Sequence, residues 1–156
     1  MTKMRKRLGD EGFTLIELMV VVLIIAVLVA IAIPSFLGFR SRAQDRSAQS
    51  DVRNTLLAEK AYWVDNGDYS TTASDLKAYE PTISLHATDP AEAVVAATAS
   101  NSSTGEDIVC LSRTSDSGTI YSVWDGENTG TYYGTGSLAG SACTSSTPSG
   151  HSQGGW

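Results

Sequence analysis

Residues 9–36 read GDEGFTLIELMVVVLIIAVLVAIAIPSF, and a single charge, Glu17, stands at the head of the apolar run. From Leu18 to Phe39 there are 22 residues without a charged side chain, rich in Val, Leu, Ile and Ala. At about 1.5 Å per residue such a helix is roughly 33 Å long, the thickness of a hydrocarbon core. The run therefore predicts a membrane-spanning helix. A charge at the bilayer centre costs about 2.5–3.5 kcal/mol even on lenient insertion scales, so Glu17 needs a partner, a shallow position or a task.

The chain has 156 residues and a formal net charge of −6, spread unevenly. Lys3, Arg5, Lys6 and Arg7 all precede the apolar run. From Trp63 onward only Lys77 and Arg113 stand against eleven carboxylates. An acidic head without a basic patch argues against direct nucleic-acid contact through that head. It fits solubility outside the cell. Roughly ninety residues remain for the head, a small domain by burial alone. Both cysteines, Cys110 and Cys143, lie in it. If the head is exported, one intrachain disulfide is the natural reading, and it would contribute about 2–4 kcal/mol. Two free thiols and a metal pair are the alternatives; zinc has no His or Cys cluster to complete it.

A basic segment followed by an apolar run also describes a signal peptide, with VAIA (residues 29–32) as a weak cleavage site. The run is too long for that, and helix-compatible sequence continues straight out of it. A signal anchor fits the length better. Positive-inside counting does not fix its orientation, because Arg40, Arg42, Arg46 and Arg53 follow closely. Neither reading accounts for Glu17, or for GDEG placed immediately before Phe13.

The segment Gly12-Phe13-Thr14-Leu15-Ile16-Glu17 resembles the class III leader junction of type IV prepilins. The resemblance covers residues 1 to about 67 well, and the head in outline. It implies a cytoplasmic leader, residues 1–12, removed by a prepilin peptidase after Gly12, and N-methylation of the new terminal residue, Phe13. It makes Glu17 the fifth residue of the product. There its carboxylate would pair with the Phe13 amine of its own or a neighbouring chain and so set the axial register of assembly. Pro34 falls where such pilins carry a helix-kinking proline. A glycine usual eight residues earlier is replaced here by Ala26. The implied partners are other copies of the chain in a helical homopolymer, the peptidase, an assembly platform with its ATPase, and the membrane before assembly. The implied location is the cytoplasmic membrane, leader inside and head outside, and then an extracellular pilus serving adhesion, motility or DNA uptake. A type II secretion or competence pseudopilin shares this front end and is the nearest alternative. A single-span anchored ectodomain that binds or senses a ligand is the alternative of another class.

Residues 13–39 are thus expected to form the transmembrane and filament-core half of a helix, and residues 40–67 its amphipathic half. Val52, Leu56, Leu57, Ala61, Trp63 and Val64 recur at helical spacing, and Asn66-Gly67 supplies a stop. In the remainder, 68–156, a short helix is expected around Ser74 to Tyr79. AVVAATA (93–99) reads as strand or helix. DIVCLSR (107–113) and TIYSVWD (119–125) flank a glycine-containing turn, and TYYG (131–134) adds a short strand. The Gly, Ser and Thr-rich end is expected to be a loop or flexible segment. The fold class is α+β: a long helix on a small antiparallel sheet, with a C-terminal loop closed by the disulfide. No nucleophile triad, phosphate loop or metal-ligand spacing appears, so neither an enzyme nor a cofactor is expected. His86 and His151 read as isolated surface residues. The resemblance to secretion pseudopilins also raises a calcium site using Asp125 and Glu127.

Overall fold

A computed structural model describes residues 12–86, 88–91 and 93–156. The chain divides into two compact units, one ending at Phe39 and one running from Arg40 to Trp156. A single helix, α1 (Leu15–Asn66), passes through both. Residues 1–11, most of the expected leader, lie outside the described residues.

In the first unit α1 is apolar on all sides, and its large side chains are exposed along its length. A helix that is hydrophobic all round calls for lipid or other apolar helices around it. The helix assignment continues through Pro34 without a break. One turn earlier, the carbonyl of Ile31 accepts the Ser35 hydroxyl at 3.4 Å.

In the second unit α1 becomes one-faced. Ala48, Val52, Thr55, Leu56 and Glu59 are buried at helical spacing. Leu57 and Val64, expected on that inner face, are instead 67% and 75% exposed. The buried positions step through 48, 52, 55–56 and 59, and a side chain at 57 or 64 sits on the far side of that stripe. The helix stops where Asn66-Gly67 predicts. Gly67 takes φ 74°, and its N–H donates to the Trp63 carbonyl at 2.7 Å, the left-handed stop that glycine accommodates without strain.

A short helix, α2 (Ala73–Leu76), follows. Its Leu76 packs with Ile83 and Ala58 on the flank of α1. Four strands then form an antiparallel sheet in sequence order: β1 (Val95–Asn101), β2 (Glu106–Thr114), β3 (Ile120–Gly126) and β4 (Gly130–Thr135). The ambiguous segment 93–99 is thus strand from Val95 onward. β2 is the central element, with Cys110 opposite both Ala97 and Trp124.

Alternation along β2 and β3 gives the sheet two buried faces. Val109, Leu111 and Val123 meet Val52 and Leu56 of α1. Ile108, Cys110 and Trp124 point the other way, under Leu138 and Cys143. The Cys110–Cys143 disulfide, with Cα atoms 5.7 Å apart, fastens this second cover to the central strand. The Trp124 indole donates to the Thr144 carbonyl at 2.9 Å.

The C-terminal end also returns to the sheet. Tyr133 and Ser152 exchange two backbone hydrogen bonds, at 2.8 and 2.9 Å. The Trp156 indole donates to the Gly134 carbonyl at 2.6 Å and meets Tyr133 edge-on at 4.9 Å. His151 is no surface ornament: its Nε2 lies 2.8 Å from the Oγ of buried Ser122. A Cβ at Gly134 would come within 2.6 Å of the His151 ring, so only glycine lets the imidazole lie there. His86 caps its own loop, its Nδ1 accepting the Asp89 N–H at 2.9 Å.

Candidate functional site

The predicted processing and assembly residues gather at the start of α1. Gly12, Phe13 and Thr14 precede the helix, and Phe13 is 89% exposed. Thr14 and Glu17 then form a reciprocal cap. The Thr14 Oγ1 accepts the Glu17 N–H at 3.2 Å, and Glu17 Oε2 accepts the Thr14 N–H at 3.0 Å. The same carboxylate oxygen accepts the Thr14 hydroxyl at 2.8 Å. This is the capping box, a Thr followed three residues later by Glu, and such caps stabilise a helix start by about 1 kcal/mol. A carboxylate in the first turn also faces the positive end of the helix dipole. Glu17 therefore has local partners before any assembly. The pattern T-x-x-E ahead of an apolar run was visible in the sequence, but reading Glu17 only as a charge missed it.

Pro34 stands alone inside the apolar half. Cys110 and Cys143 meet as the disulfide described above, far from Glu17 in sequence and in the other unit.

Asp125, the candidate calcium ligand, is committed to holding α1 on the sheet. Its Oδ1 lies 2.9 Å from the Lys60 Nζ of α1 and accepts the Thr131 hydroxyl. Its Oδ2 accepts the Tyr69 hydroxyl at 3.1 Å. Burial, then the adjacent Asp125 charge, raises the pKa of that phenol. Glu127, by contrast, is exposed. Among the described residues no group of three or more His, Cys, Asp or Glu is placed to hold a metal ion.

A second buried carboxylate, Glu106, organises the β3–β4 turn. It accepts the N–H groups of Asn128 and Thr129 at 2.9 and 2.7 Å, and the Thr129 hydroxyl at 2.9 Å. Burial alone would raise its pKa, but the hydrogen bonds from Thr129 and Asn128 outweigh it and hold the carboxyl below its ordinary value. Composition gave no sign of this residue's role, because the turn it serves is reached from a neighbouring strand.

The family model for the prokaryotic N-terminal methylation motif matches residues 7–33. The N-terminus therefore carries this methylation motif. The motif places Gly12, Phe13 and Glu17 inside one matched block, around the capping box and the exposed apolar helix. Over 67 residues the chain is 40% identical to the type IV major pilin protein PilA of Myxococcus xanthus, covering 43% of this chain and 30% of that one. It is 38% identical over 66 residues to the type IV wide pilus major component PilA4 of Thermus thermophilus, covering 42% and 50%. It is also 40% identical over 78 residues to the type II secretion system core protein G of Vibrio cholerae, covering 50% and 51%. The chain thus spans about half the length, or less, of the curated relatives it matches. The motif match, residues 7–33, covers the start of the long helix.

Proposed function

We propose that this chain is the precursor of a structural filament subunit, the major pilin of a type IV pilus. One observation carries the reading. The first half of α1 is an apolar helix with none of its membrane-length stretch buried, and the same helix continues into the packed core of a folded head. Such a surface is stable only inside lipid or against like helices. A subunit that waits in a bilayer and then bundles its helices with those of other copies meets both conditions in turn.

On this reading a prepilin peptidase removes residues 1–12, and methylation then caps the Phe13 amine. Residues 13–39 serve as membrane anchor and then as filament core, 40–67 continue the helix, and 68–156 form the exposed head. Precursor subunits sit in the cytoplasmic membrane with the head outside, and an assembly platform driven by an ATPase transfers them into an extracellular fibre. Fibres of this kind serve adhesion, motility or DNA uptake. The names of the relatives, pilus components and a secretion-system core protein, support a structural role over an enzymatic one.

A second reading, a pseudopilin of a type II secretion system, is favoured by the likeness to the core protein G relatives. Shearing distinguishes them. Cells producing a major pilin should release the chain as long filaments on mechanical shear. A pseudopilin should stay with the cell, and its deletion should stop export of secreted enzymes. A single-span receptor should remain in the membrane fraction and form no filaments under either condition, which would sink both readings.

A further inference from the structure

We infer that the outward face of α1 at Arg42 and Arg46 docks head-to-tail on the acidic C-terminal end of α1 in a second copy of this chain. The inference rests on the filament reading and adds to it a specific contact between heads. Positions 42, 46, 53, 57 and 64 fall on one side of a helix of about 3.6 residues per turn. Arg42, Arg46 and Arg53 on that side are all exposed. The head's ion pairs among the described residues are Lys60–Asp125 and Arg113–Asp51, so none of the three guanidiniums has a carboxylate partner there. Asp45 lines the same groove but gives its carboxylate to the Ser117 hydroxyl at 2.5 Å. Arg53 is steadied from the side, 4.9 Å from the Trp156 ring centre and 5.7 Å from that of Tyr133. Beyond it the same side presents Leu57 and Val64, two large apolar side chains exposed to water.

The other end of the helix has the opposite character. Its last turn holds no base and carries Asp65, with exposed Asp68 just after it. The Tyr79 hydroxyl donates to Asp65 at 2.7 Å. The C-terminal end of the helix dipole adds negative partial charge. Overall the segment 40–53 carries four bases against two acids, while 54–156 carries three bases against twelve acids. The charge is thus polarised within one subunit, and a second copy offers the complement.

The basic and acidic surfaces are different surfaces, so their contact is heterologous. It leaves a free end on each side and propagates instead of closing into a dimer. Bringing Arg42 and Arg46 onto Asp65 of the next copy calls for an axial offset of roughly 30 Å between parallel helices. Other offsets set bases on bases or acids on acids, so the contact also selects the register.

The test is charge exchange in the full-length protein in cells, comparing sheared filaments with the membrane pool. Arg42→Glu with Arg46→Glu should lower filament yield at least tenfold while the membrane pool and the Cys110–Cys143 disulfide stay as in wild type. Asp65→Lys with Asp68→Lys should do the same. All four substitutions together should recover a substantial part of the yield, which lost folding could not explain. Wild-type yield from the arginine variant, or no recovery in the combined variant, overturns the docking while leaving the filament reading intact. Absence of filaments from the wild-type chain would remove both.

Discussion

Glu59 is fully buried beneath the loop that follows α1. Its Oε2 accepts the Ser70 N–H at 3.0 Å, and its Oε1 accepts nothing among the described residues. Burial, opposed by the Ser70 bond and reinforced by Asp68 and Asp75, pushes its pKa from an ordinary 4.5 up to about 7. A carboxyl that holds its proton more tightly when folded stabilises the protein at low pH, and that stability is lost as pH rises from about 4.5 to about 7. A rise of that size corresponds to at most about 3–4 kcal/mol. Thermal unfolding of the detergent-solubilised chain should therefore fall in midpoint between pH 5 and 7 and level off above. Glu59→Gln should flatten the profile and raise the midpoint at pH 8. An unchanged slope in the variant would place the titration elsewhere. Hydrophobic spacing could not reveal Glu59, because a glutamate in an amphipathic helix reads as outward-facing until the loop above it is known. Glu17 was legible, but only half of its role. A glutamine keeps the capping pattern and removes the charge, whereas leucine removes both. Glu17→Gln should hold the wild-type membrane pool and be processed, yet yield few sheared filaments, since the Phe13 amine would enter the core without its counter-charge. Glu17→Leu should additionally fray the helix start. Normal filament yield from Glu17→Gln would show that capping is the whole of its work.

Among the elements, the strands were readable because their turns were. Gly118, at φ 93°, closes the β2–β3 hairpin within the Ser and Asp-rich segment 114–118, where sequence places a turn. Of the C-terminal cover, only the closure by the Cys110–Cys143 disulfide was readable. It buries few apolar side chains, and besides the disulfide its hold on the sheet includes the Tyr133–Ser152 bridge, the Trp124–Thr144 and His151–Ser122 contacts and the terminal tryptophan. Such long-range contacts leave no periodicity in the chain. Because Cys110 and Cys143 are 33 residues apart, their bond restricts the unfolded chain by about 3–4 kcal/mol on the loop-entropy model. Cys143→Ser should therefore lower the unfolding midpoint by several degrees and expose the Trp124 side of the sheet, a change visible in tryptophan fluorescence. Reduction of the wild type should reproduce the loss and leave Cys143→Ser unaffected. An equal response of both proteins to reductant would mean that the bond contributes no stability.

At the scale of the whole molecule, the chain joins a helix that cannot remain in water to a head that folds around the same helix, and cleavage between Gly12 and Phe13 is what would fit it for assembly. The geometry suits that step. Helix α1 begins only at Leu15, so the Gly12–Phe13 bond lies in non-helical backbone, and the cap at Thr14 keeps the helix from winding back over it. A protease needs such extended, accessible chain. Among the described residues a Cβ on Gly12 would meet nothing within 4 Å, and its φ lies outside the left-handed range. The fold therefore tolerates Gly12→Val, and any loss of processing in that variant reports recognition at the cleavage site. Intact mass of the surface-released wild-type chain should show the loss of residues 1–12 and the gain of one methyl group on Phe13. Gly12→Val should accumulate in the membrane at full length, with its disulfide formed and without filaments, because the leader's Lys3, Arg5, Lys6 and Arg7 would have to enter an apolar bundle. A mature chain that still begins at Met1, or one cut after Ala32, would remove the pilin-type reading of the whole front half.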